Sequence, residues 1–153
     1  MVEVYNLIDK IKNHFENDTF VNTVTFGRAD KIDLAKTTIF PLADFFITNA
    51  TMSGNKITFT VYVIILDIVD QSKATPDDFY GNTDEQDIMN NTLGIMKIFL
   101  KSVEDSRGAL AQAQYVMEDE DPECELIYEE QENVLIGWAT TIDISVPNTT
   151  SIC

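Results

Sequence analysis

The side chains able to do chemistry are few and scattered. His14 is the only histidine among 153 residues. One imidazole leaves no Ser-His-Asp or Cys-His pair with an obvious partner, and its place at the edge of an apolar stripe gives His14 a structural role. Asp67 interrupts an otherwise apolar run from Tyr62 to Val69. A carboxylate there is a catalytic group with a raised pKa, an inward charge that keeps strands of different molecules apart, or an interface residue, and the last two readings are favoured. The segment EDEDPE (Glu118, Asp119, Glu120, Asp121, Pro122, Glu123) is the densest acidic group. It lacks the spacing and glycine of an EF-hand loop and reads as a solvated turn. Cys124 and Cys153 belong to no CxxC or Cys/His pattern and read as free thiols. There is no P-loop, GxGxxG or zinc spacing. The expectation is a protein without catalytic residues, cofactor or metal, in which Trp138 beside Gly137 is a core or interface anchor.

Charge narrows the partners. Twenty-six acids face ten Lys and Arg, for a formal net charge of -16, and from Gly108 to Cys153 there are 10 acids and no Lys or Arg. A surface that wraps nucleic acid or docks on an anionic membrane needs cations, so neither is expected. No charged start with an apolar core and small-residue cleavage site is present, and no apolar run is long enough for a bilayer-spanning helix, which points to a reducing cytoplasm.

The elements that must position these residues are legible from periodicity. Val4, Leu7, Ile8, Ile11 and Phe15 recur at helical spacing over Glu3 to Glu16, a helix closed by Asn17 and Asp18. Val21 to Phe26 is a short strand ending at Gly27, followed by a loop. Ile39 to Asn49 and Lys56 to Asp70 form a hairpin, and Pro41 puts the start of the first at an edge or bulge. In the second, Ile57, Phe59, Val61 and Val63 share one face. From Tyr62 onward both faces are apolar, so that half is expected to be covered twice or to enter an assembly. After a polar loop over Gln71 to Asn82, Thr83 caps a helix running to about Asp105, with Gly108 as its left-handed stop. That helix is apolar well beyond one face. Ala113 to Met117, Glu123 to Gln131 and Val134 to Val146 follow as the strands of a second hairpin segment, separated by the acidic turn and by a Glu132-Asn133 turn. The expected fold is α+β, an antiparallel sheet of about five to six strands packed by the N-terminal helix and the longer second helix, in one domain over 1–147 with a tail at 148–153.

The stretch VNTVTFGRADKIDLAKTTIFPLADFFI, with its opening helix, the strand ending at Gly27, the Asp30 to Asp33 loop and Phe40-Pro41-Leu42, resembles the tail-completion or tail-terminator subunits of tailed bacteriophages. The order of the later elements, including the Gly137-Trp138 step, is similar too. The resemblance implies a structural virion protein, assembled in the host cytoplasm. It would be a homo-oligomeric ring of roughly six- or twelve-fold symmetry joining portal or connector to tail, with DNA only as passing cargo and no membrane. It implies subunit contacts through Arg28, Asp30, Lys31, Asp33, Asp67, Asp70, Pro76, Phe79, Tyr80 and Trp138, and a lumen bearing Glu118, Asp119, Glu120, Asp121 and Glu123. Two other classes fit the composition: a small α+β module with an apolar ligand pocket, and a hydrolase built on a buried carboxylate such as Asp67.

Overall fold

A computed structural model of the chain describes residues 3–27, 40–69, 84–104, 108, 110, 114–130 and 134–147. Helix α1 (Glu3–Glu16) buries Leu7, Ile11 and Phe15 on one face. It stops where Asn17 and Asp18 turn their N–H groups back to the carbonyls of Asn13 and Phe15, and the Asp18 carboxylate accepts the Phe20 N–H at 2.9 Å. Strands β1 (Thr23–Phe26), β2 (Leu42–Met52) and β3 (Lys56–Ile68) precede helix α2 (Asp84–Val103). Strands β4 (Val116–Met117), β5 (Cys124–Glu130) and β6 (Val134–Pro147) complete a six-stranded sheet of order β1-β2-β3-β6, with β4 and β5 both on the far edge of β6.

The sheet is mixed, not wholly antiparallel. β1 pairs with β2 in parallel, Thr23 opposite Leu42 and Phe26 opposite Phe45, while every other pair is antiparallel. A parallel pair needs a connection long enough to return the chain to its starting end, and the stretch between Phe26 and Leu42 is that long. Its midpart, with Ile39, lies outside the described residues, as do Thr83, the loop over 71–82, Asp105, Ala113, the 132–133 turn and the 148–153 tail.

β3 is a central strand. One face, Ile57, Phe59, Val61, Val63 and Ile65, enters an apolar cluster with Leu7, Ile11 and Phe15 of α1, Ile95, Met96, Phe99 and Val103 of α2, and Ile142 and Ile144 of β6. The opposite face carries a second cluster of Phe40, Leu42, Leu66 and Leu135, with Ile64, Ile68 and Ile127 half-buried around it. The two-faced apolar half of β3 is thus largely covered on both sides within one copy, the first of the two expected arrangements. Asp67 pairs with Ile136 of β6 and lies one position beyond Leu66, where the pairing of β3 with β2 ends.

Another correction concerns the C-terminal strands. β4 and β5 do not form a hairpin; each pairs with β6 along the same edge. They are one strand interrupted, because the six residues 118–123 face only the three β6 positions 141–143. The acidic segment is a lateral excursion from that strand. Nor is Gly108 left-handed: among the described glycines only Gly27 has a positive φ, at 62°. A Cβ on Gly108 would instead meet the Ser102 carbonyl oxygen at 2.1 Å, so the helix end selects glycine for space.

The tightest approach is at Gly137, where a Cβ would lie 1.7 Å from the Ile65 carbonyl oxygen. No side-chain rearrangement relieves a backbone clash. Gly137→Ala is expected to cost at least about 3 kcal/mol of stability, at the upper end for overpacking, seen as a lowered urea midpoint. A cost below about 1 kcal/mol would mean that β3 and β6 separate here freely.

Candidate functional site

The acidic excursion is fixed at both ends. In the β3–β6 ladder Asp143 turns its N–H and C=O away from β3. Its C=O accepts the Glu118 N–H at 2.8 Å, and its N–H donates to the Asp119 carboxylate at 2.7 Å. The Asp143 carboxylate in turn accepts the Thr60 hydroxyl at 2.6 Å, and the Thr140 hydroxyl donates to the Glu123 carbonyl at 2.6 Å. Glu118 pairs with Lys56 at 3.1 Å. Hydrogen bonding from Ser145 and then Lys56 holds its carboxyl below the ordinary range. Glu120, Asp121 and Glu123 remain exposed on the projection.

Between this excursion and α2 runs an open groove of about 620 Å³. Leu93, Leu100, Met117, Pro122 and Cys124 give it an apolar lining; Lys97 and Lys101 stand on the helix side and Glu118, Asp119 and Glu120 opposite. Burial pushes the Cys124 thiol up from its ordinary value, against a lowering by Thr140, which leaves it a poor nucleophile. A smaller depression of about 370 Å³ on α2 is lined by Phe20, Asn91, Gly94 and Ile98. Phe20 is 66% exposed, Ile98 51% and Leu93 40%. The surplus apolar surface of α2 noted in the sequence is real, and it faces outward beside Phe20.

Trp138 packs against the main cluster, and its indole N–H donates to the Met89 carbonyl at 2.9 Å. That bond ties β6 to α2. The Asp67 carboxylate accepts the N–H of Ile68 at 2.8 Å. Arg28, Asp30, Lys31, Asp33, Asp70, Pro76, Phe79 and Tyr80 lie outside the described residues. Of the acids from Glu118 to Glu123, Glu118, Asp119 and Glu120 line the groove, while Asp121, Glu123, Asp67 and Trp138 do not. Lys97 and Lys101, which complete it, escaped sequence reasoning. Their four-residue spacing on one helix face was the available signal.

On the sheet face away from the main cluster, Asp44 is buried and accepts the Thr25 hydroxyl at 2.6 Å. Nearby Tyr62 has its pKa raised, by burial first and then by Glu125, Asp44 and Glu129. Among the described residues no group of three His, Cys, Asp or Glu could hold a metal ion, and no helix is long and apolar enough to cross a membrane. No family model matches the chain, and no curated protein does.

His14 sits with its ring edge-on to Phe15 (5.2 Å) and Phe99 (5.5 Å), its Nε2 buried without a hydrogen-bond partner among the described residues. Burial lowers its pKa from 6.5, and Asp18 only partly offsets this. The unfolded chain therefore takes up a proton first. Stability is expected to be full above about pH 6.5, to fall as pH drops from there towards the lower folded-state value, and then to level off as far as this group is concerned. Urea titrations of wild type and His14→Leu across that window check this. Equal slopes in both proteins would show that His14 is not the source.

Proposed function

We propose that this chain is a structural subunit that works by assembly: a ring-forming protein of the tail-completion or neck type of a tailed bacteriophage, joining portal or connector to tail. The observation that carries the reading is the outward apolar surface of α2. Leu93 and Ile98, beside Phe20 from the turn after α1, lie on a helix whose other side already fills the main cluster. Leaving three large apolar side chains in water is unfavourable, and burying each against a neighbour contributes on the order of 1.5–3 kcal/mol before association costs. Closed rings bury such surfaces through heterologous contacts.

The acidic projection supports the same reading. Glu120, Asp121 and Glu123 are exposed on a segment held by backbone and carboxylate bonds to β6. Fixed negative charge lining a channel repels DNA and lets it slide, an effect that weakens as salt screens it. No described group offers a nucleophile, base and oxyanion site together, so an assembly role asks less of the molecule than a hydrolase does.

Mass photometry and electron microscopy of the purified chain, alone and with a portal protein, test the proposal. A discrete ring is expected once the portal protein is present, and Leu93→Lys with Ile98→Lys is expected to abolish it while leaving the circular dichroism spectrum unchanged. A chain that stays monomeric in both conditions sinks it. The groove beside Lys97 supports a second reading, a binding module for an amphipathic small molecule, since its volume falls in the range of ligand sites. Monomeric protein with ligand density in that groove would favour it.

A further inference from the structure

The two edges of the sheet are unlike. On one side β5 carries the exposed acids Glu125 and Glu129, and negative side chains keep an edge from pairing with another chain. On the other side β1 covers β2 only from Leu42 to Phe45. Beyond it, Thr48 to Met52 are all exposed, Met52 at 68%, and no described strand pairs with their outer edge. From Phe45 to Asn55 the sequence holds no charged residue and no proline, in a chain of net charge -16.

The ladder shows which backbone groups this edge presents. Ser53 donates to the Lys56 carbonyl at 2.9 Å, so Ser53 and Lys56 are a hydrogen-bonded pair. Hydrogen-bonded and non-bonded pairs alternate along an antiparallel ladder. With Met52 opposite Ile57, Thr51 opposite Thr58 and Ala50 opposite Phe59, the residues turned away from β3 are Ala50 and Met52. Their N–H and C=O groups point outward, one repeat apart, on the stretch that follows the bulge between Ile47 and Asn49.

We propose that this edge is a docking site for the same edge of a second copy, β2 against β2 in antiparallel register about a two-fold axis through Ala50. Charge selects the occupant. Two β5 edges would set Glu125 and Glu129 against the same acids, whereas two β2 edges paired about Ala50 meet through the uncharged stretch from Phe45 to Asn55, the arrangement that a molecule of net charge -16 tolerates best. The pairing joins two copies whether or not either belongs to a ring, and it continues the sheet across the dimer.

The test uses the full chain. Sedimentation velocity over a concentration series is expected to show a monomer–dimer equilibrium. Ala50→Pro is expected to abolish the dimer and leave the circular dichroism spectrum and thermal midpoint unchanged, because its N–H makes no bond to β3. Separately, Ala50→Cys in a Cys124→Ser, Cys153→Ser background is expected to give a disulfide-linked dimer under mild oxidation, which also serves if the proline variant does not fold. A wild-type chain monomeric at every concentration overturns the inference, as does a dimer that survives Ala50→Pro or an Ala50→Cys variant that fails to cross-link. Rings seen with no cross-link would reject this contact alone; a cross-linked dimer with no ring under any condition would reject the ring alone.

Discussion

The approach of β3 to β6 is the constraint on which the other parts depend. Their ladder runs from Lys56 opposite Pro147 to Ile68 opposite Leu135. It can close at its crowded point only because Gly137 has no side chain where the Ile65 carbonyl arrives. These two strands carry both apolar faces of the sheet. Ile57 to Ile65 and Ile142 to Ile144 supply the cluster shared with α1 and α2, and Leu66 and Leu135 supply the opposite one. Separating the strands at Gly137 would open both clusters together. Trp138, the next residue, carries the constraint onward through its bond to the Met89 carbonyl, so the placement of α2 depends on the same ladder.

With the centre fixed, the periphery is free to be unsatisfied. α2 has one side in the main cluster and Leu93 and Ile98 on its outside, and hydroxyls that fall within its buried side are returned to the helix itself. Thr92 donates to the Ile88 carbonyl and Ser102 to that of Phe99. Neither hydroxyl therefore asks for a partner outside the helix. What it leaves unmatched is apolar surface and two lysines, Lys97 and Lys101, facing an acidic wall. The molecule is closed at the core and open at the helix and the two sheet edges.

Much of this was readable before any coordinates. The 3.6-residue stripe of α1 and the alternation from Ile57 to Val63 are local signals, and they located those elements and their buried faces. What could not be read was relational. Parallel pairing of β1 with β2 and the alignment of β4 with β5 both depend on which strands are neighbours, and period-two alternation is the same in any neighbour order. Gly108 shows the limit at one residue. A glycine beyond a helix suggests a left-handed cap, yet close approach of the Lys101 and Ser102 carbonyls demands the same residue for another reason. For the groove, Glu118 to Glu120 were conspicuous, whereas Lys97 and Lys101 looked like ordinary solvated positions of an amphipathic helix. Only folding set them opposite each other.

The interruption between β4 and β5 insulates the sheet from whatever the acidic projection does. Val116 and Met117 are registered against Ser145 and Ile144, and Cys124 independently against Thr140, so neither anchor measures the length of chain between them. Residues added at Glu120-Asp121 would enlarge the projection without sliding β5 along β6 or turning Leu126 to the other face. The projection's reach and charge can thus diverge among variants of this chain while the scaffold stays fixed, a division between what is conserved by packing and what is open to tuning.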